Sequence, residues 1–266
     1  MTAIALTIAG SDSSGGAGIQ ADLKTFSALN VYGASVVTAV TAQNTKGVTG
    51  VEDISAGMIR AQMDAVFADL QVNAVKIGMV SRTETIECIA AGLRGFGKPV
   101  VMDPVMVATS GDRLLQEDAI EGLRTLLLPL ALLATPNLPE AALLSGGQIA
   151  ETRGQVIQQA ETILKSGVGA VLIKGGHAGG SKSVDILLGP TGVEEFSMPR
   201  IETTSDHGTG CTLASAITAH LALGYPLVDA IGLAKDYLQG ALAAGRELRV
   251  GHGHGPVHHF YRWWNA

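Results

Sequence analysis

The segment 207–213 carries the strongest chemical signal in the sequence. It reads His-Gly-Thr-Gly-Cys-Thr-Leu and opens an apolar stretch with helical spacing. A Gly-x-Gly at a helix start leaves backbone N–H groups unpaired, and the helix dipole favours an anion beside them. Gly208, Thr209 and Gly210 are therefore predicted to form an anion hole suited to a transferring phosphoryl group. Cys211 lies in the first turn, where the same dipole would lower the pKa of its thiol; the alternative is a small buried cysteine at a glycine-rich helix start.

Oxygen-bearing side chains follow two of the predicted strands. Asp103 comes directly after an apolar strand, and Asn137 and Glu140 come after the next one. Oxygen ligands of this kind suit Mg²⁺, which keeps several of its waters. The alternative is ordinary turn and helix-cap chemistry at Asp103 and Asn137. Lys174 ends another strand before two glycines and could reach nucleotide phosphates, although lysines at strand ends are often simply solvated.

Two further segments could hold a small ligand. The Gly/Ser-rich loop 10–18 would let the backbone approach a ligand closely. It is neither a Walker A motif, since no Gly-Lys-Ser/Thr follows, nor a GxGxxG motif, since Ala21 stands in place of the third glycine. Gln43 ends the second predicted strand. Its amide offers donors and an acceptor that match the edge of an aminopyrimidine; the alternative is a polar residue leaving the sheet.

These residues are spaced along an alternation of short apolar runs and amphipathic stretches. The runs predict strands at 3–9, 35–41, 72–80, 99–102, 130–135 and 170–174, a hairpin over 183–198, and helices at 19–29, 55–70, 155–165, 209–223 and 227–244. The alternation predicts an α/β fold with a mostly parallel sheet and helices on both faces. Ligands bind beyond the carboxyl ends of such strands, where the candidate residues fall. Without a repeat or linker, residues 1–266 are expected to form one domain.

Composition excludes several classes of function. Of 266 residues, 18 are Lys or Arg and 24 are Asp or Glu, so the net charge is 18 − 24 = −6. Without a basic block, nucleic-acid binding is not expected. No apolar run approaches the ~20 residues that span a bilayer, so no membrane association is expected, and the N-terminal residues do not resemble a signal peptide. Two cysteines are too few for a disulfide framework, which favours a cytoplasmic location.

In combination, these motifs resemble one family closely. The chain is similar from Gly10 to Trp264 to the hydroxymethylpyrimidine/phosphomethylpyrimidine kinases of thiamine biosynthesis, within the ribokinase-like superfamily. The resemblance implies a ribokinase-like three-layer sandwich in a single kinase domain. The segments that carry it are 10–22, 41–45, 76–79, 103–106, 135–141, 174–177, 207–213 and 255–260.

The resemblance implies two successive ATP-dependent phosphorylations, first of the pyrimidine alcohol to its monophosphate and then of the monophosphate to the diphosphate. It also implies Mg²⁺ and a homodimer. Gln43 would read the pyrimidine edge, in a pocket also lined by Gly10, Ala17, Asp22, Met79 and Val105. Cys211 would stand where many relatives place an aspartate base, and whether it removes a proton or positions the alcohol stays open. The phosphate side would use Gly208, Thr209 and Gly210 as the anion hole, Asp103, Asn137 and Glu140 around Mg²⁺ and its waters, and Lys174 on the ATP phosphates.

Three positions depart from the family pattern. Ser13 stands where proline is common, which is expected to loosen the first loop slightly, and Thr109 stands where a lysine is frequent. Asp206 replaces the usual threonine before the anion hole. Its carboxylate would repel phosphate unless it points away or is paired.

Three alternative functions remain to be weighed. A pyridoxine or pyridoxal kinase on the same fold would also take a flat heteroaromatic with a hydroxymethyl group. A non-catalytic metabolite sensor is disfavoured, because Asp103, Glu140, Lys174 and Cys211 occur together. A thiol-dependent hydrolase built on Cys211 and His207 is disfavoured further, since two residues at one helix start are not expected to point at each other.

Overall fold

A single sheet runs through the molecule. The computed structural model describes residues 2–106, 117–176 and 180–264. Within these ranges the strands are β1 (Ile4–Asp12), β2 (Tyr32–Asn44), β3 (Gly47–Asp53), β4 (Ala74–Ile77), β5 (Val100–Met102), β6 (Leu133–Ala134), β7 (Val171–Ile173), β8 (Lys182–Gly189) and β9 (Gly192–Pro199). They are hydrogen-bonded in the order β3-β2-β1-β4-β5-β6-β7-β8-β9. The six strands from β2 to β7 in this order are parallel, and β3, β8 and β9 pair antiparallel at the two ends.

Helices cover both faces of this sheet. They are α1 (Gly18–Ala28), α2 (Ala56–Asp69), α3 (Thr83–Leu93), α4 (Glu117–Gly122), α5 (Leu138–Ser145), α6 (Arg153–Leu164), α7 (Thr209–Ala222) and α8 (Leu227–Gly245). Side chains alternate between the faces of each strand, so Leu6 and Ile8 pack with α2, α3 and α6, whereas Ala5 packs with α1, α7 and α8. The predicted mostly parallel sheet between two helical layers is confirmed.

The parallel strands end along one edge of the sheet, and this edge positions the site. β1 ends at the first glycine-rich loop, β2 at Gln43 and Asn44, β5 just before Asp103 and β7 just before Lys174. The apolar helix α7 is buried along most of its length, so its first turn is held against the same edge. None of the described helices is long and apolar enough to cross a membrane.

One strand escaped the sequence analysis. β3 forms a hairpin with β2, and most of its side chains are half-buried or exposed. Its sequence, Gly-Val-Thr-Gly-Val-Glu-Asp, includes two glycines and two acids and covers no apolar face. The hydrophobic periodicity that predicts a strand arises from the burial of alternate side chains. Because β3 is held mainly by its backbone hydrogen bonds to β2, it lacks this signal.

Candidate active site

A cavity of about 630 Å³ opens along the carboxyl ends of the strands. Thirteen of the fourteen predicted site residues line it; Asp22 alone does not. They are Gly10, Ala17, Gln43, Met79, Val105, Asp103, Asn137, Glu140, Lys174, Gly208, Thr209, Gly210 and Cys211. Residues about two hundred positions apart in the sequence therefore line the same cavity.

The predicted anion hole is the start of helix α7. Gly208 is its N-cap residue, with a φ of 82°, and provides no side chain to cap the helix. A Cβ at Gly208 would collide with the carbonyl oxygen of Gly16, so glycine is required for both conformation and space. A Cβ at Gly210 would lie 3.3 Å from Lys174 Nζ. The largely buried Lys174 ammonium thus stands beside a helix N-terminus, and both attract an anion.

Cys211 does not carry the lowered pKa predicted for it. Burial raises the pKa of the thiol to about 11, and the carboxylates of Asp22 and Asp103 add to this, outweighing the Lys76 ammonium and a hydrogen bond from the Gly18 backbone. The prediction from the helix dipole is therefore wrong, because desolvation and two nearby negative charges dominate. At neutral pH the side chain is therefore a thiol.

Lys174 joins the two acidic residues of the phosphate side. Its Nζ lies 2.8 Å from Asp103 Oδ1 and 4.0 Å from Glu140 Oε2. Burial would raise the pKa of Asp103, but the ammonium groups of Lys174 and Lys76 hold it below its usual value. For Glu140, burial dominates and raises the pKa to about 7. Within one cluster, Asp103 is thus ionised while Glu140 titrates near neutrality.

Asn137 and Glu140 also cap helix α5. Asn137 Oδ1 accepts a hydrogen bond from the Glu140 backbone at 2.9 Å, and Glu140 Oε2 accepts one from the Asn137 backbone at 2.7 Å. This capping box corresponds to the alternative considered for Asn137. Both residues still line the cavity, so capping fixes their direction without removing them from the site.

Gln43 lines the cavity together with Met79 and Val105. The Ser13 hydroxyl accepts from the Gln43 N–H and donates to the Gln43 carbonyl, both at 2.8 Å. Ser13 therefore ties the first loop to β2, which counteracts the loosening expected from the missing proline. Gly10 leaves room for the end of the Met79 side chain, because a Cβ would come 2.8 Å from the Met79 methyl.

Asp22 is the one predicted site residue that the structure places elsewhere. Its carboxylate is fully buried and accepts hydrogen bonds from Thr7 and Ser215 at 2.6 and 2.5 Å. Lys76 Nζ lies 2.9–3.0 Å from both of its oxygens. The prediction that Asp22 lines the pocket is wrong, since a carboxylate so surrounded has no oxygen left for a ligand. Lys76 itself lines the cavity, so Asp22 acts through it.

Asp12 and His207 form a contact that was not predicted from the sequence. His207 Nε2 lies 2.8 Å from Asp12 Oδ2, and both side chains are more than nine-tenths buried. Asp12 belongs to the first loop and His207 immediately precedes the anion hole. An aspartate before Ser-Ser-Gly signals a turn, but nothing in the sequence pairs residues 195 positions apart.

A second missed contact orders the turn after Lys174. Asp185 Oδ1 accepts the Gly175 N–H at 2.9 Å, and Lys235 Nζ lies 2.7 Å from Asp185 Oδ2. A Cβ at Gly175 would collide with the Val184 carbonyl. Lys174 therefore leaves β7 along a fixed path toward Asp103.

The carboxylate of Asp206 is paired. His254 Nδ1 lies 2.8 Å from Asp206 Oδ1, with both side chains about half exposed. The segment around His254 also covers the β2–β3 turn, where the Thr45 carbonyl accepts the His254 N–H at 2.8 Å. Pairing with His254 meets the condition under which this carboxylate is tolerable beside an anion. Thr109 and His177 lie outside the described residues.

The three-layer fold, with a glycine-rich helix start facing a row of parallel strand ends, defines a ribokinase-like kinase. A family model described as phosphomethylpyrimidine kinase matches residues 12–258. The chain belongs to the phosphomethylpyrimidine kinase family, and the predicted family, fold and enzyme class are confirmed.

Similar proteins agree with this assignment. The hydroxymethylpyrimidine/phosphomethylpyrimidine kinase of Rhizobium meliloti (strain 1021) is 62% identical over 264 residues, covering 99% of each chain. The crystal structure of phosphomethylpyrimidine kinase from Clostridium difficile 630 has 48% identity and a TM-score of 0.79, covering 90% of this chain and 99% of that one. An ADP complex of Bacillus subtilis pyridoxal kinase has 38% identity and a TM-score of 0.90 over the whole of both chains.

Proposed function

We propose that this protein transfers the γ-phosphoryl group of ATP to 4-amino-5-hydroxymethyl-2-methylpyrimidine, and then a second one to the resulting monophosphate, for thiamine biosynthesis. One observation carries the proposal. The anion hole 208–211 and Lys174 lie in the same cavity as Gln43, Met79 and Val105. The relatives at high identity carry the name of this activity, and the Gln43 amide complements the amino group and ring nitrogen of an aminopyrimidine.

The order of the strands separates two ends of the cavity. Gln43 lies at the end of β2, and Met79 and Val105 follow β4 and β5. Met198 and Leu238 belong to β9 and α8 at the opposite side of the sheet. Lys174 follows β7, between them. The pyrimidine would occupy the first end and the nucleotide the second. Their reacting groups would then meet at the start of α7.

The transfer step follows from this placement. The hydroxymethyl oxygen forms a bond to the γ-phosphorus while the bond from phosphorus to the ADP oxygen breaks, and the alcohol proton passes to the transferred phosphoryl group. Such transition states are loose and depend on position and charge more than on a strong base. The backbone N–H groups of 208–211 and the Lys174 ammonium would stabilise the phosphoryl oxygens. The protonated Cys211 would position the alcohol.

The phosphate side also fits Mg²⁺. Asp103 is ionised, Glu140 is a second carboxylate, and both face the cavity beside Lys174. Two carboxylates with phosphates and waters form the usual environment of this ion. Mg²⁺ would neutralise charge on the ATP phosphates. Asp103 and Glu140 would hold it, directly or through waters, while Asn137 fixes the direction of Glu140.

Phosphorus NMR of the products tests the proposal. ATP and the pyrimidine alcohol should give the monophosphate first and the diphosphate later, with ADP appearing in step. Reactions without the alcohol should consume no ATP. ATP hydrolysis that proceeds equally with or without the alcohol, and without a new phosphate ester, would overturn the proposal. A Lys174→Met variant is the matched control, because it removes the central cation and leaves Gln43 in place.

Pyridoxal phosphorylation is the second candidate, favoured by the full-length similarity to a pyridoxal kinase. Comparing kcat/KM for the two alcohols decides between them, and a tenfold higher value for pyridoxal would reverse the assignment. We further propose that the chain is one domain, because all nine described strands join one sheet. A cytoplasmic homodimer is proposed from the resemblance alone.

A further inference from the structure

Asp12 connects the first loop with His207, which immediately precedes the anion hole. Its Oδ2 accepts hydrogen bonds from the Gly16 and Ala17 backbone at 3.1 and 2.8 Å, and His207 Nε2 lies 2.8 Å from the same oxygen. Its Oδ1 accepts from the Ser14 N–H and hydroxyl at 2.8 and 2.7 Å. One carboxylate thus shapes the first loop and fastens it to the residue that precedes the anion hole.

The proton of this contact lies on the histidine. Burial would raise the pKa of Asp12, but hydrogen bonds from His207, Ser14 and Ala17 hold it well below its usual value. Asp12 is therefore a carboxylate, and His207 must donate through Nε2. The amide nitrogen of Gln43 is 3.4 Å from the same ring nitrogen. Since that nitrogen is already a donor, His207 supports Gln43 by contact and leaves the amide hydrogens to a ligand.

The two loops also touch through their glycines. A Cβ at Gly16 would collide with the His207 ring, and a Cβ at Gly208 would collide with the Gly16 carbonyl. There is no space for either loop to slide toward the other. The buried Asp12–His207 contact prevents them from separating.

We propose that His207 is a positioning residue that, through Asp12, fixes the distance between the first loop (residues 10–18) and the anion hole. The inference rests on the proposed function. The first loop and Gln43 would hold the pyrimidine and with it the hydroxymethyl oxygen that accepts the phosphoryl group. Residues 208–211 would hold the phosphoryl group itself. Small errors in such spacing cost on the order of 10²-fold in rate. Loss of the contact should therefore lower kcat while the KM for the pyrimidine changes little, because Gln43, Met79 and Val105 remain.

Four variants test this inference in the full-length protein. His207→Leu removes the N–H donor, and His207→Gln keeps a neutral N–H donor of similar reach. Asp12→Asn weakens the acceptor, and the double variant Asp12→Asn/His207→Leu completes a mutant cycle. His252→Leu is the matched control, because this histidine is exposed and its contact to Thr45 uses only the backbone N–H. The measurements are kcat and KM for the pyrimidine alcohol, with unfolding temperature as the check on folding.

We expect His207→Leu to lose about 10- to 100-fold in kcat and His207→Gln to recover most of this loss, with His252→Leu unchanged. The double variant should lose about as much as the more impaired single variant and less than the sum of the two losses, because both substitutions act on the same contact. A His207→Leu enzyme with wild-type kcat would overturn the inference. Additive losses of the two single variants in the cycle would also overturn it.

If His207→Leu does not fold, the His207→Gln variant decides the question. A raised KM for the pyrimidine with an unchanged kcat in this variant would overturn the inference. A wild-type enzyme that does not phosphorylate the alcohol at all would instead overturn the proposed function, before any variant is compared.

Discussion

Lys76 and Asp22 form an ion pair whose two side chains are both entirely withdrawn from solvent, 2.9 Å apart. Lys76 lies in β4 and Asp22 on α1, so the pair joins the sheet to the helix beneath the active site. Thr7 and Ser215 complete the hydrogen bonding of the carboxylate. Such a pair can persist in the interior because neither charge is left alone.

Lys76→Met is expected to lower the free energy of unfolding by about 3–5 kcal/mol, because it leaves Asp22 as an unpaired buried charge. The double variant Lys76→Met/Asp22→Leu should be more stable than Lys76→Met, since it removes both charges. Urea unfolding measures this. Arg60→Ala is the control, because its pair with Asp64 is exposed and should change stability little. A double variant less stable than Lys76→Met would contradict the explanation.

Alanine at the two glycines of the anion hole should have unequal effects. Gly208→Ala forces a side chain into a φ of 82° and against the Gly16 carbonyl, so it should abolish measurable transfer. Gly210→Ala meets the end of the Lys174 side chain at 3.3 Å, which can move, and Asp103 Oδ2 at an ordinary 3.8 Å. It should keep activity with a raised KM for ATP. Steady-state kinetics with circular dichroism compares the two, and equal losses would contradict a steric cause.

The titration of Glu140 predicts how stability depends on pH. Burial raises its pKa from 4.5 to about 7 in the folded protein. Between these values the folded chain binds a proton that the unfolded chain has lost, so the free energy of unfolding falls as pH rises through this window. Relative to Glu140→Gln, the wild-type protein should lose on the order of a few kcal/mol between pH 4.5 and 8, at about 1.4 kcal/mol per pKa unit. Urea unfolding of both proteins at several pH values measures this difference. If the free energies of unfolding of the two proteins changed in parallel with pH, the raised pKa of Glu140 would be contradicted.

Cys211 should react slowly with alkylating reagents in the folded protein. With a pKa of about 11, roughly one thiol in ten thousand is ionised at pH 7, and the thiolate is the reactive form. We expect iodoacetamide to modify Cys211 far more slowly in the native protein than after unfolding in urea. Mass spectrometry of the peptide containing Cys211 measures both rates. Rapid native modification at pH 7 would restore the case for a thiolate base.

The sequence alone predicted the position of a residue wherever that position depended on its neighbours along the chain. Apolar runs located eight of the nine described strands, and glycines with oxygen-bearing residues marked the strand ends that wall the cavity. It was not sufficient where a role depends on a distant partner. The resemblance places Asp22 in the ligand pocket, and nothing local in the sequence reveals that Lys76 and Ser215 surround it. The pKa of Cys211 was misjudged for the same reason, since burial and two carboxylates outweigh the helix terminus that the sequence does reveal.

The contact between Asp12 and His207 also has a consequence for how the protein is made. The two residues are 195 positions apart, and a ribosome adds about 5–20 residues per second. The first loop must therefore wait roughly 10–40 seconds after its synthesis before its partner exists. During that time β1 and β2 can pair and Asp12 can form its bonds within the loop, yet the loop is not fastened to the anion hole. The nascent chain thus acquires its fold gradually and its ligand site late.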